Sequence, residues 1–137
     1  MDTKSCFFIG RREAPEKIYL ALYAAVEQHI VEYDVTEFIV GRYGEFDRLA
    51  ASVVKATKRF YPDVKLTLLL SYHPVEQPLP KLDGFDSTFY LPGMERVPRK
   101  VAIVRANRYI VDHADYLIAY AWHPASNARE IVEYAKR

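Results

Sequence analysis

Hydrophobic and polar positions follow two patterns along this chain: short, continuous apolar runs, and longer stretches whose apolar residues lie three or four positions apart. Continuous runs occupy residues 5–9, 37–40 and 66–70, and each is typical of a strand buried on both faces of a parallel sheet. Weaker runs predict a short strand over 88–91 and a further strand over 116–121.

Helical spacing fills the intervals between these runs. After Pro15, whose fixed φ suits a first helical turn, apolar residues recur at Ile18, Leu22, Val26 and Ile30. Similar spacing predicts a helix from Phe46 to the proline at 62, a third over 99–113 and a last over 126–137. Because strands alternate with helices, we expect a Rossmann-like three-layer α/β/α sandwich with a mainly parallel sheet in the order 3-2-1-4-5.

One long segment departs from this rhythm. Residues 72–98 contain five prolines separated mostly by polar positions, and only the short predicted strand interrupts them. Long connections of this kind are uncommon in compact domains and often cover a functional site. A lid over the site and a plain surface excursion both remain open for this segment.

Composition narrows the class of protein. The 137 residues suit a single domain, and a hydrophobic share of 50% is enough to fill a core. A formal net charge of +1 argues against a general nucleic-acid binder, which needs a surplus of Lys and Arg. No apolar stretch reaches the roughly 20 residues that cross a bilayer, and the polar start of the chain is unlike a secretory signal, so we expect a cytoplasmic protein without membrane contact.

The only cysteine, Cys6, lies inside the first apolar run and is expected to be a buried thiol. It cannot form an intramolecular disulfide, and neither His113 nor His123 stands at metal-ligand spacing with a carboxylate or thiol. We therefore expect neither a metal nor another cofactor.

The turns that follow the strands carry the candidate binding residues. In open α/β sheets ligands bind beyond the carboxyl ends of the strands. The residues predicted there are Gly10, Arg11 and Arg12 after the first strand, Gly41, Gly44 and Asp47 after the second, and Ser126 and Asn127 after the last. Glycines allow close backbone approach, helix N-termini favour anions, and guanidinium groups grip phosphate, so this set predicts a site for a phosphate-bearing small molecule.

Each of these signals also has a purely structural interpretation. Arg11 and Arg12 are equally consistent with solvated surface charges. Gly41 and Gly44 are equally consistent with a tight turn that holds no ligand. Asp47 suits the first turn of a helix, where an acid complements the helix dipole. Tyr43, Tyr72 and Trp122 lie in the same loops, where an aromatic ring either stacks on a base or packs against the sheet.

Four segments in order resemble the SLOG superfamily of bacterial nucleotide-binding proteins, which includes the DNA-processing protein DprA and the Lonely Guy enzymes. The opening strand and loop (6–12), the glycine-containing turn (41–47), the arginine-rich helix segment (105–112) and the last strand (115–119) carry the resemblance. It implies a Rossmann-like fold, a nucleotide or nucleotide-derived ligand at the strand ends, and a homodimer.

The resemblance also implies an activity. In the Lonely Guy enzymes an arginine and a glutamate remove the base from a nucleoside monophosphate. The comparable residues here are Arg105 or Arg108, near Asn107, and Glu130, which with Asn127 keeps the family's spacing. The glycines that wrap the phosphate are absent from 124–130, and Arg11 replaces the family's usual histidine. Sequence alone thus favours a nucleotide-binding or sensor module, with an N-glycosidase as the alternative.

Overall fold

The computed structural model describes residues 3–42, 44–70, 84–120 and 127–136, and at residues 127 and 128 it describes the backbone only. Its strands are β1 (Lys4–Gly10), β2 (Val35–Val40), β3 (Lys65–Leu70), β4 (Ser87–Tyr90) and β5 (Tyr116–Tyr120). Its α-helices are α1 (Tyr19–Val31), α2 (Glu45–Thr57), α3 (Arg99–His113) and α4 (Asn127–Ala135). Short 3-10 turns at Glu16–Ile18 and Met94–Arg96 precede α1 and α3.

The five strands form one parallel sheet with helices on both faces, which confirms the predicted Rossmann-like α/β class. Helices α1 and α2 cover one face, and their buried side chains meet those of Phe8, Phe38 and Leu66. Helices α3 and α4 lie on the other face, where Ala106 and Ile110 of α3 pack against Phe7 and Leu69. Both faces of β1, β2 and β3 are therefore buried.

The predicted strand order is wrong for the fourth strand. The observed order is β4-β3-β2-β1-β5, so β4 lies at the edge beside β3, and β5 takes the place beside β1. Hydrogen bonds at the start of each edge strand account for both positions. The Asp86 amide donates to the Leu66 carbonyl, and the Asp115 amide donates to the Ser5 carbonyl.

The strand order thus reverses at β1, since β2, β3 and β4 extend the sheet on one side of it and β5 joins on the other. In open α/β sheets ligands bind near such a point, beyond the carboxyl ends of the strands. Of the proposed lid, residues 72–83 lie outside the described residues, whereas residues 84–98 contain β4 and the 3-10 turn at Met94–Arg96. That this segment covers a site stays a prediction. Within the described part of the chain, no helix has the length and apolar character needed to cross a membrane.

Candidate functional site

The loops that follow β1 and β2 are in direct contact. The Glu45 amide donates a hydrogen bond of 2.6 Å to the carbonyl oxygen of Arg12. A Cβ atom on Gly44 would lie 2.5 Å from Cα and 2.6 Å from the carbonyl oxygen of Arg12. Only glycine lets the two loops approach this closely, because the neighbour is backbone and cannot rotate away. The backbone of Gly44 is extended (φ 175°), so space, and not a left-handed conformation, explains the residue.

The end of β1 is held against the start of α2 by aromatic packing. The Phe46 ring covers Gly10 so closely that a Cβ atom there would overlap it. Phe46 also stacks on Tyr120 at the end of β5, with ring centroids 6.0 Å apart and an interplanar angle of 11°. The Arg11 amide donates to the Tyr120 carbonyl at 3.2 Å. The ends of β1 and β5 and the first turn of α2 therefore form one packed unit.

A cleft of about 290 Å³ opens beside this unit, between the β2 turn and one face of α2. It brings together three of the predicted residues with several that sequence reasoning did not single out. The lining residues are Gly41, Arg42, Gly44, Asp47, Arg48, Ala51, Ser52, Lys55, Leu68 and Phe85. Positions 47, 51 and 55 lie four apart and share one face of the helix, as do 48 and 52.

The cleft is mainly cationic. Three of its lining side chains are basic, whereas Asp47 is the one acid among them. The ammonium of Lys55 lies 4.6 Å from the centroid of the Phe85 ring, within cation–π distance. Arg48 is held at the rim by bonds to Glu45 (2.8 Å) and Glu16, which raise the pKa of its guanidinium. Arg42 follows the carboxyl end of β2, whereas Lys55 lies roughly 12 Å along α2 from Asp47, at the other end of the cleft.

The two arginines after β1 differ in exposure. The side chain of Arg11 is 24% exposed and its guanidinium lies 4.0 Å from the Glu13 carboxylate, whereas Arg12 is exposed to solvent. Both follow Gly10 at the carboxyl end of the sheet, as predicted. Whether they bind an anion there stays a prediction.

The residues predicted on α3 lie on the opposite face of the sheet from α2. The guanidinium carbon of Arg108 lies 5.1 Å from the centroid of the Tyr134 ring, near the end of α4. The Tyr134 hydroxyl in turn donates to Asp112 at 2.8 Å. Because α4 rises about 1.5 Å per residue, Tyr134 stands roughly 10 Å along the helix from Asn127. The structure thus places Arg108 away from the strand ends and does not bring it to the Gly44–Arg12 contact.

Other predicted residues are placed only in part. Glu130 is exposed in the first turn of α4, on the side of the carboxyl ends of the strands. Arg105 is exposed on α3 and Asn107 is half-buried there. Asn127 begins α4, but its side chain is not described. Ser126, Tyr43, Tyr72 and Trp122 lie outside the described residues.

The functional candidates that the sequence analysis missed are Arg42, Ser52, Lys55 and Phe85. The spacing of Lys55, eight residues after Asp47, was a usable signal, because two such positions share a helix face. Phe85 gave no signal, since it reaches the cleft only through the position of β4 beside β3.

Neither the models of known protein families nor the curated proteins give a match to this chain. Among the residues that the structure describes, no three His, Cys, Asp or Glu side chains cluster in a way that could hold a metal ion.

Proposed function

We propose that this chain binds a small, phosphate-bearing, nucleotide-derived ligand at the carboxyl ends of its strands, as a binding or sensor module of the SLOG type. The observation that carries the proposal is the cationic cleft beside the Gly44–Arg12 contact. The ordered resemblance of four segments to SLOG proteins supports the same ligand class.

Each polar side chain that lines the cleft suits one part of such a ligand. Arg42 would hold the phosphate by charge-assisted hydrogen bonds, with glycine backbone close by, and Lys55, roughly 12 Å along α2 from Asp47, would hold the far end of the ligand. The Ser52 hydroxyl and the Asp47 carboxylate suit the hydroxyls of a ribose. A volume of 290 Å³ lies at the lower end of the range for ligand pockets, roughly 300–1,000 Å³, which favours a mononucleotide over a dinucleotide.

Calorimetric titration with adenosine monophosphate, ADP-ribose and unphosphorylated adenosine tests this proposal. We expect the phosphorylated compounds to bind and adenosine to bind far more weakly. Arg42→Ala and Lys55→Met should each weaken binding by about tenfold, the usual loss for a charge-assisted hydrogen bond. Arg59→Ala removes an exposed cation beyond the end of α2 and should change nothing. Equal affinities in Arg42→Ala and Arg59→Ala would contradict the proposal.

The alternative is an N-glycosidase acting on nucleoside monophosphates, and the exposure of Glu130 near the strand ends favours it. Its carboxylate would stabilise the ribosyl cation that forms as the base departs. Because Arg108 lies against Tyr134, the phosphate would be held by Arg42, beyond the carboxyl end of β2, instead. Release of free base, lost in Glu130→Gln and kept in Glu133→Gln on the same helix, would establish this activity. Ligand binding without release of free base would exclude the N-glycosidase and support the binding module.

The resemblance also leads us to propose a homodimer in the cytoplasm. Leu20 and Val31 on α1 are 79% and 59% exposed and would suit a surface covered by a second copy. Sedimentation at several protein concentrations tests the dimer, and a monomer throughout would exclude it.

A further inference from the structure

A second cavity of about 290 Å³ lies on the other face of the sheet, between the strands and the end of α3. It opens towards the amino ends of the strands, so it is separate from the cleft that α2 lines. Seven of its lining side chains carry polar or titratable atoms: Ser5, Glu37, Thr67, Ser87, Thr88, Tyr109 and His113.

Two of these residues are unusual for their place in the sheet. Glu37 and Thr67 belong to β2 and β3, the central strands whose other positions are mostly buried and apolar. Thr67 is only 4% exposed, and its register partner Ile39 packs in the core beneath α3. Strands covered on both faces are normally apolar throughout, so polar side chains here require polar partners.

The hydrogen bonds around Thr67 have a fixed direction. Its Oγ1 lies 2.7 Å from Glu37 Oε2 and 2.9 Å from Ser87 Oγ. An ionised carboxylate can only accept, so the single hydroxyl proton of Thr67 goes to Glu37, and Ser87 must donate to Thr67. This series of hydrogen bonds, from Ser87 through Thr67, ends on the half-buried Glu37 carboxylate, which keeps further acceptor sites. Lys65, which pairs in register with Glu37 across β2 and β3, is exposed. Among the described residues no ion pair includes Glu37.

The wall opposite Glu37 is aromatic. Tyr109 stacks on Phe89, with centroids 5.5 Å apart, and on His113, with centroids 4.1 Å apart. His113 Nδ1 lies 2.7 Å from the Tyr109 carbonyl oxygen, which can only accept, so Nδ1 carries a proton. In the neutral ring the other nitrogen, Nε2, is left as an acceptor. The cavity therefore combines a carboxylate and an imidazole acceptor with a wall of three stacked rings.

We propose that this cavity binds a small aliphatic amine whose ammonium group is held by Glu37. An ammonium offers three donors and no acceptor, which matches the acceptor sites of the Glu37 carboxylate and of His113 Nε2. Its positive charge is attracted to the Glu37 carboxylate. Because a water molecule occupies roughly 30 Å³ of liquid, the cavity has room for a short diamine.

Titration with putrescine and with the uncharged diol of the same carbon skeleton tests the proposal. Putrescine should bind saturably, and the diol should not. Glu37→Gln keeps an acceptor oxygen for Thr67 but removes the charge, and it should weaken putrescine binding by about tenfold or more. Glu32→Gln, which removes an exposed carboxylate beyond the end of α1, is the matched control and should bind as the native chain does.

Absence of saturable putrescine binding, equal binding of the diol, or equal affinities in Glu37→Gln and Glu32→Gln would each overturn the proposal. If Glu37→Gln does not fold, Tyr109→Leu decides, because loss of the aromatic wall should also weaken binding and an unchanged affinity would overturn the site. Arg42→Ala should leave putrescine binding intact, so this test does not depend on nucleotide binding.

Discussion

Gly10 and Gly44 lie close together in the folded chain, but different neighbours exclude a side chain at each. At Gly10 the obstacle is the Phe46 side chain, including its ring. At Gly44 it is chiefly the backbone of Arg12. A side chain can be shortened by mutation, whereas a backbone held by its own hydrogen bond cannot. The same substitution should therefore respond differently to a second mutation at the two positions.

We expect Gly44→Ala and Gly10→Ala each to destabilise the protein by about 1–3 kcal/mol, the usual cost of overpacking. Replacing Phe46 by alanine removes the ring that blocks Gly10, so the double variant Gly10→Ala/Phe46→Ala should lose less stability than the sum of its two single variants. Urea unfolding of the four variants measures this coupling.

The matched comparison is Gly44→Ala/Phe46→Ala, in which the obstacle at Gly44 remains. Additive losses in this pair and a positive coupling in the other are the expected result. The same coupling in both pairs would mean that Phe46, and not the Arg12 backbone, limits the space at Gly44.

Cys6 is fully buried, and burial raises the pKa of its thiol to about 12, a rise only partly offset by a backbone hydrogen bond from Ile118. The unfolded chain loses this proton above the ordinary pKa of 9.0, whereas the folded chain keeps it up to about 12. Stability should therefore fall as the pH rises through this window. Near pH 10 the native chain should have lost roughly 1 kcal/mol more than Cys6→Ala, measured by urea unfolding at both ends of the window.

At the residue scale, the sequence predicted which residues follow the strands better than it predicted which side chains they contact. Gly10, Gly44 and Arg12 meet as expected, because parallel strands bring their following turns to one edge. The location of Arg108 depends on the packing of α3 against α4, which places it on Tyr134, and periodicity does not specify that contact. Glu37 passed unnoticed because a single acid in an apolar run still fits a strand.

An aspartate directly before each edge strand hydrogen-bonds to the neighbouring strand. We call this arrangement the aspartate clasp (Asp86 with Leu66, Asp115 with Ser5). In both clasps the aspartate amide donates to the neighbour's carbonyl, and the neighbour's amide donates to the aspartate carboxylate. Asp86 also pairs with Lys58 of the α2 end at 2.5 Å. The clasps fix where β4 and β5 join the sheet.

We expect Asp86→Ala to lower the free energy of unfolding by about 1–3 kcal/mol at neutral pH, because the part-buried Leu66 amide loses its acceptor. The hydrogen bond from Lys58, followed by that from the Leu66 amide, lowers the pKa of Asp86. This contribution is present above the unfolded pKa, near 3.9, and is lost as the pH falls through the lower folded value. Its size is limited by solvent screening, since the side chain is 35% exposed.

Urea unfolding at neutral and acid pH measures this difference, with the exposed Asp63→Ala as the control. The gap between the native chain and Asp86→Ala should narrow in acid. A gap that is independent of pH would assign the loss to packing and not to the charged clasp.

At the element scale, apolar runs and helical periodicity were sufficient to locate the five strands and four α-helices of the described residues to within a few positions. The order of the strands was not predictable, because β4 contains too few apolar residues to indicate which neighbour it joins. The clasps that determine its place depend on single aspartates in loops, where a polar residue is unremarkable.

The two faces of the whole molecule are packed unequally. Among the described residues, the layer beneath α1 and α2 contains most of the buried core, including Phe8, Phe38 and Leu49. Beneath α3 the buried side chains are fewer, and α3 contributes small ones such as Ala102 and Ala106. Small side chains bury little apolar surface, so this layer is held less strongly.

We expect native-state hydrogen exchange to reveal this difference. Amides of β1, β2, β3 and α2 should exchange only with global unfolding, whereas those of α3 and α4 should exchange through openings of lower free energy. Exchange measured by mass spectrometry on peptides from each element gives the ranking directly. Equal protection of α2 and α3 would show that the two layers unfold together.

The place of β5 at the margin of the sheet has a consequence for the behaviour of the protein in concentrated solution. Its five residues, Tyr116–Tyr120, are uncharged and rich in strand-forming types, and such a margin can recruit strands from other molecules. Ala119 is exposed there, so Ala119→Lys would add a gatekeeper charge at little cost to the fold. On prolonged warming this variant should form thioflavin-positive aggregates after a longer lag than the native chain, whereas an equal lag would place the initiating segment elsewhere.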